Sequence, residues 1–330
     1  MSHILLISTG GTIASGYTEN GLAPALTPAQ LLAFVPEAAE FCTIDTISPF
    51  QIDSTNVNPE NWLALSAIIE ENYHAYDGFV ICHGTDTMAY TAAALSYLIQ
   101  SSAKPIVITG SQRPISEPST DGRDNLLDAL RFASDGKSGV VIVFGHKVIA
   151  GTRARKTRTR SYDAFSSINF PELAVIHGRR IVRYLPPPEA DAPVFYHALH
   201  PRVALLKLIP GLSPESLALV GTYADGIIIE SYGVGGIPDR YLEALDALIA
   251  AGKTVIMATQ VPQEGSDIAV YQVGYRLKRD YRLLETYDMT LEATVTKLMW
   301  ALSMGMVDGE IDGKEVRKYF IKAVNYDLLF

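Results

Sequence analysis

Residues 77–88 read DGFVICHGTDTM: an apolar, β-branched run that stops at a knot of small polar residues and then opens into the helical pattern AYTAAALSYL. A short apolar run ending at such a junction predicts a buried strand that hands its chain directly to a helix. The same unit repeats on either side. HILLIS (3–8) is followed by a helix opening at Thr27-Pro28, and CTIDTIS (42–48) by a helix opening at Asn58-Pro59. In both helices a capping residue precedes a proline at the first helical position. Downstream come a helix from Asp86 to about Gln100, KPIVITG (104–110), a helix around Asp121 to Arg131, and GVVIVFG (139–145). Strands alternating with helices predict a parallel sheet covered on both faces.

From Gly151 the text changes to GTRARKTRTR, with cations at 153, 155, 156, 158 and 160, and a β-hairpin with extended flanks fits it. LPPPEADAP (185–193) packs its prolines into a stiff stretch, so the expected division is a first domain over 1–184, a linker over 185–201 and a second domain over 202–330. In the second domain RVALLKLIP, DGIIIESYG and TVIMATQ read as strands. SPESLALVG, PDRYLEALDALIAAG and two helices nearer the C-terminus alternate with or follow them. The predicted fold is two unequal α/β domains.

Length and composition agree with this reading. A chain of 330 residues with 48% hydrophobic content is long enough for two cores. No uninterrupted apolar run reaches the roughly 18 residues that a membrane span needs. The start, MSHILLISTGG, lacks the pattern of a signal peptide, and the expected compartment is the cytosol. A formal net charge of −9 argues against a general nucleic-acid role. Cys42 and Cys82 lie in apolar runs and read as buried thiols rather than metal ligands.

Four strand ends carry polar residues that could do chemistry. Ser-Thr-Gly-Gly-Thr-Ile (8–13) follows the first strand, at the edge where open α/β sheets bind ligands, and matches no nucleotide-cradle spacing. At 83–87, His-Gly-Thr-Asp-Thr crowds hydrogen-bonding groups at a helix start. There Asp86 reads either as a helix cap or, with Gly84 and Thr85, as part of a site for a small zwitterion. Thr-Gly-Ser-Gln-Arg-Pro (109–114) offers backbone N–H groups, and Asp53-Ser54-Thr55 ends the second strand. In the basic run, strand alternation would send Arg153 and Arg155 to one side and Lys156, Arg158 and Arg160 to the other, mostly as a solvated or ion-paired face. A lysine crowded by cations can serve as a proton relay, and a threonine nucleophile needs such a base. GxSxG, HExxH and CxxC are absent, and His83 reads as a structural residue bonded behind its loop.

Taken together, S-T-G-G-T-I and H-G-T-D-T-M resemble the paired signatures of bacterial-type asparaginases. T-G-S-Q-R-P, T-D-G before N-L-L, the G-x-R-x-x-K stretch at 151–156, D-A-F and S-Y-G-V-G follow in the family's order. Asp53-Ser54-Thr55 is similar to the cytoplasmic type I group. The resemblance implies a flavodoxin-like first domain, a smaller α/β second domain, and a homodimer or homotetramer with its site near the subunit interface, needing no metal or coenzyme. It implies hydrolysis of L-asparagine with Thr12 as nucleophile, beside a Thr85-Asp86-Lys156 triad; Thr85 as nucleophile or water activator stays open. Ser54 would bind the substrate carboxylate with Asp53, Thr55 and Gly84 beside it, Asp86 the ammonium, and the Thr85 and Ser111 amides the oxyanion. Leu22 stands where the family has a tyrosine on the nucleophile, and Tyr17 is the nearest substitute. Glu230 and Gly236 stand where some type I enzymes carry an arginine and an asparagine, so an allosteric asparagine site is not implied. Alternatives are a mixed glutaminase-asparaginase, a tRNA-dependent amidotransferase subunit, and a non-catalytic amino-acid sensor.

Overall fold

The structure is a computed structural model that describes the chain except for residues 19–20, 137–138, 188–189, 191, 271–282 and 330; at 17, 18 and 22–24 it describes the backbone. The chain divides into two compact units, Met1–His197 and Ala198–Phe330. Within the segment expected as a linker, Val194–Phe195 pairs with Ile99–Gln100 of the first unit.

The strands of the first unit, in chain order, are β1 (Ser2–Ser8), β2 (Ser15–Thr18), β3 (Gly21–Pro24), β4 (Cys42–Ile47), β5 (Gly78–Cys82), β6 (Ile99–Gln100) and β7 (Pro105–Thr109). They continue with β8 (Gly139–Phe144), β9 (Lys147–Ala150), β10 (Ala154–Lys156), β11 (Phe165–Ser167), β12 (Ala174–His177), β13 (Arg180–Arg183) and β14 (Val194–Phe195). Eight of them form one sheet in the order β13-β12-β9-β8-β7-β5-β1-β4. β4, β1, β5, β7 and β8 run parallel, and β9, β12 and β13 extend the sheet antiparallel. Counted along the chain, the parallel part has the flavodoxin order 2-1-3-4-5, whose switch point lies between β1 and β5.

Residue chemistry explains the layering. Every residue of β5 and of β7 is buried, as expected for central strands covered on both faces, whereas the edge strand β4 is largely exposed. The helix Pro59–Asn72 starts where expected: Asn58 accepts from the Glu60 and Asn61 amides, Asn61 reaches back, and Pro59 fills the first position. Thr27 and Gln30 make the same reciprocal cap on Pro28–Leu32. Both cysteines are free and buried, and burial pushes the Cys82 thiol up to about 12, which makes it inert.

The basic run departs from its expected face pattern. Arg153 is fully buried, its guanidinium over the Phe170 ring at 5.4 Å. The strand ends at Lys156, because the amides of Thr157 and Arg158 both turn to the Ala164 carbonyl, at 2.8 and 3.3 Å. Two residues opposing one make a bulge, so the alternation stops before Arg158 and Arg160. The hairpin itself is present as β10 paired with β11.

In the second unit β15 (Val203–Lys207), β16 (Gly226–Ser231), β17 (Thr254–Thr259) and β18 (Leu284–Glu285) form a parallel sheet in that order. Its core gathers Leu208, Leu217, Ile227, Ile229, Tyr241, Leu245 and Met257. The helices Leu291–Met304 and Gly313–Phe320 start at the side-chain caps Thr290 and Asp312. Glu230 is nearly buried and pairs with Lys207 at 3.1 Å. Among the described residues no helix is long and apolar enough to cross a membrane.

Candidate active site

Three loops of the first unit, those after β1, β4 and β5, are held in contact by glycines at the switch point. Gly10 has φ 101°, and a Cβ there would stand 2.6 Å from the Ile52 carbonyl oxygen. Gly11 has φ 77° and would place a Cβ 2.4 Å from the Gly84 nitrogen, and a Cβ on Gly84 would sit 2.5 Å from Ser54 Oγ. Any other residue at these positions forces the loops apart. The Ile52 amide completes the junction by donating to the Thr9 carbonyl at 3.0 Å.

These contacts gather the residues singled out in the sequence. Thr12 opens a short 3-10 turn, Thr12–Ala14, and is partly exposed. Ser54 is buried beside Gly84, and its carbonyl accepts the Thr87 hydroxyl at 2.7 Å. Asp53 and Thr55 bond to each other: the Asp53 carboxylate takes the Thr55 amide at 2.8 Å and hydroxyl at 2.9 Å, fixing the turn that presents Ser54.

Asp86 is not the helix cap. The helix after β5 begins at Met88 behind Thr87, and the Asp86 carboxylate instead accepts from Lys156 Nζ at 2.6 Å. The same Nζ donates to Thr85 Oγ1 at 2.8 Å. Lys156 comes from β10, some 70 residues downstream, and the hairpin brings its ammonium to the Thr85-Asp86 pair. Its hydrogen-bond partners among the described residues are a hydroxyl and a carboxylate. The Lys156 side chain is 17% exposed and Asp86 59%, so the pair lies at the mouth of the site.

The fourth loop is pinned by residues that the sequence left unassigned. The Asp121 carboxylate accepts from the Gln112 amide at 2.9 Å and the Arg113 amide at 3.2 Å. Burial raises the Asp121 pKa, and these bonds work against that rise. Asn125 holds the same loop through the Gly110 carbonyl at 2.9 Å. Ser111 is thereby fixed in a fully buried position, and the loop docks on the first one through Ile115 N–H to Ile13 O at 3.2 Å. Gln112 reaches Thr85 Oγ1 at 3.5 Å and the Ser161 carbonyl at 3.0 Å, tying the loop to the basic hairpin. The signal for Asp121 and Asn125 was Thr-Asp-Gly ahead of Asn-Leu-Leu, a pairing whose purpose appears only when the helix start folds back on the loop.

The side chains of Tyr17 and Leu22 lie outside the described residues. Their backbones are direct cross-strand partners in the β2–β3 hairpin. No three His, Cys, Asp or Glu side chains among the described residues gather as a metal-ligand group. A groove of about 770 Å³ beside the helix Gly122–Ala133 lies apart from these loops, and ion pairs such as Arg179 with Glu40, at 2.7 Å, knit its walls.

His83 sits behind the site, fully buried, with Nδ1 2.7 Å from the Gly84 carbonyl and Nε2 2.9 Å from Thr91 Oγ1. Burial lowers its pKa to about 4. The folded protein therefore keeps His83 neutral where the unfolded chain, titrating near 6.5, already binds a proton. Its stabilising contribution is complete above that pH and is lost as pH falls towards 4, about 3 kcal/mol in all. Urea unfolding across this window should show stability falling more steeply in the wild type than in His83→Asn; equal slopes would contradict the assignment.

A family model described as Asparaginase, N-terminal matches residues 3–189, and one described as Glutaminase/Asparaginase C-terminal domain matches residues 202–320. The chain is 42% identical over 303 residues to an L-asparaginase of Thermococcus kodakarensis, covering 91% of this chain and 92% of that one. It is 35% identical to L-asparaginase 1 of Escherichia coli, covering 96% and 94%. A glutamyl-tRNA(Gln) amidotransferase subunit of Methanosphaera stadtmanae is 34% identical, covering 97% of this chain and 79% of that one. The solved thermostable L-asparaginase from Thermococcus kodakarensis superposes with a TM-score of 0.91 at 38% identity, covering 99% of each chain.

Proposed function

We propose that this chain, which belongs to the asparaginase family, hydrolyses the side-chain amide of L-asparagine to L-aspartate and ammonia. The observation that carries the reading is Lys156 Nζ set between Thr85 Oγ1 and Asp86 Oδ1, beside the glycine-packed loop that bears Thr12. A hydroxyl on a close-approach loop next to a second hydroxyl, an ammonium and a carboxylate suits acyl transfer.

In this mechanism Thr12 Oγ1 attacks the amide carbon, and the C=O electrons move onto the oxygen, which the Thr85 and Ser111 amides hold. Collapse of the intermediate expels the amide nitrogen, which leaves as ammonia with the proton that Thr12 gives up. Water then attacks the aspartyl ester on Thr12, its proton passing through Thr85 and Lys156 to the departing Thr12 oxygen, which restores the hydroxyl and frees aspartate. Asp86 serves the substrate ammonium as well as Lys156, and Ser54, with Asp53, Thr55 and Gly84 shaping its turn, receives the α-carboxylate. Tyr17, opposite Leu22 in the hairpin, is the tyrosine nearest to the role of partner to Thr12. The setting inferred is a cytoplasmic homodimer or homotetramer with the site near the subunit interface.

Steady-state kinetics on L-asparagine and L-glutamine tests the substrate. One methylene in a fitted pocket is worth about 10–200-fold, and kcat/KM should favour asparagine by that order. Equal values would replace the reading by a mixed glutaminase-asparaginase, and binding without turnover by a sensor.

A further inference from the structure

His83, behind the site, is hydrogen-bonded to the peptide that joins Gly84 to Thr85. A carbonyl oxygen can only accept, so the contact between His83 Nδ1 and the Gly84 carbonyl at 2.7 Å puts the ring proton on Nδ1. Nε2 is then an acceptor, and the Thr91 hydroxyl at 2.9 Å gives it a proton. The Thr91 oxygen in turn takes the Trp62 indole N–H, also at 2.9 Å. Each proton in the chain Trp62, Thr91, His83, Gly84 thus has one direction. The ring stays neutral because it is fully buried.

A trans peptide is planar, and its C=O and N–H point in opposite directions. The Gly84–Thr85 bond is not cis. With the Gly84 carbonyl held towards the His83 ring, the Thr85 N–H points away from that ring. Gly11 and Ser54 close on Gly84 from two sides and leave no space for a side chain there. Those contacts restrict its position, whereas the His83 bond chooses which polar end of the peptide faces the ring.

We propose that His83 is a positioning residue whose Nδ1–H, by holding the Gly84 carbonyl, aims the Thr85 amide at the oxyanion formed during amide hydrolysis. This rests on the asparagine hydrolysis proposed above. His83 touches no reacting atom, so its effect falls on the transition state and little on substrate binding.

The test compares His83→Leu, which fills the space without a donor, with His83→Asn, whose side-chain amide nitrogen replaces Nδ1 and cannot reach Thr91. Losing a whole oxyanion donor costs about 100–1000-fold, and a misaimed one less. His83→Leu should therefore lower kcat on L-asparagine by about 10–100-fold with KM within about threefold, and His83→Asn should restore most of kcat. Crystal structures of both variants read the Gly84–Thr85 plane without reference to turnover: rotated in the leucine variant and retained in the asparagine variant. A leucine variant with wild-type kcat, an unrotated peptide, or equal kcat losses in both variants would overturn the proposal. If the wild type itself fails to hydrolyse asparagine, the function reading falls, and the peptide planes still decide the role of His83.

Discussion

Replacing Lys156 by methionine is expected to lower kcat on L-asparagine by about 1000-fold while leaving the fold largely intact. The ammonium contacts both Thr85 Oγ1 and Asp86 Oδ1, so its loss removes the group through which a proton can move between water and Thr85. Positioned acid–base groups contribute about 100- to 10,000-fold, which sets the scale. Methionine keeps an unbranched stem of similar bulk, and the abandoned Asp86 is 59% exposed, so water can solvate it and little stability is lost. Arg158→Ala is the control. Its guanidinium pairs with Asp163 at 2.7 Å and is half exposed, so its removal should change kcat less than about twofold. Equal, modest losses in both variants would mean that the basic run is only a solvated face.

Thr12→Ala is expected to lower kcat by about 1000-fold or more, because no ester can form without the hydroxyl. Thr85 is the rival nucleophile, since its hydroxyl contacts the lysine directly. That contact argues for a different role, because the Thr85 oxygen is engaged by the Lys156 ammonium at 2.8 Å, which suits a relay better than an attacking lone pair. Thr12 lies instead on the loop that Gly10 and Gly11 bring against Ile52 and Gly84. The two assignments separate in the Lys156→Met variant, where slowed ester cleavage should let an aspartyl adduct accumulate. Peptide mass spectrometry should find it on Thr12; an adduct on Thr85, or an active Thr12→Ala, would reverse the roles.

Much of this arrangement was legible in the sequence because it depends on local patterns. Alternating strands and helices pointed to the parallel sheet, and proline after Thr27 and Asn58 marked two helix starts. Polar clusters after apolar runs pointed to the strand ends that meet at the switch point. What stayed hidden depends on partners far away in the chain. Asp86 read equally well as a cap, and only the arrival of Lys156 on a distant hairpin gives its carboxylate another partner. Arg153 read as part of a mostly solvated or ion-paired face, whereas it is fully buried with its guanidinium over the Phe170 ring. The face pattern beyond Lys156 failed because a bulge opposite Ala164 breaks the alternation, and the sequence carries no glycine there to announce it. Asp121 and Asn125 shape the site without lining it, so residue type alone gave them no role.

Whether the chain is a working amidohydrolase is decided by the release of ammonia from L-asparagine by the purified wild-type protein, measured together with aspartate. Continuous turnover is expected, with one ammonia and one aspartate per asparagine consumed, and with that turnover lost in Thr12→Ala. A wild-type protein that binds asparagine and releases no ammonia would contradict the assignment.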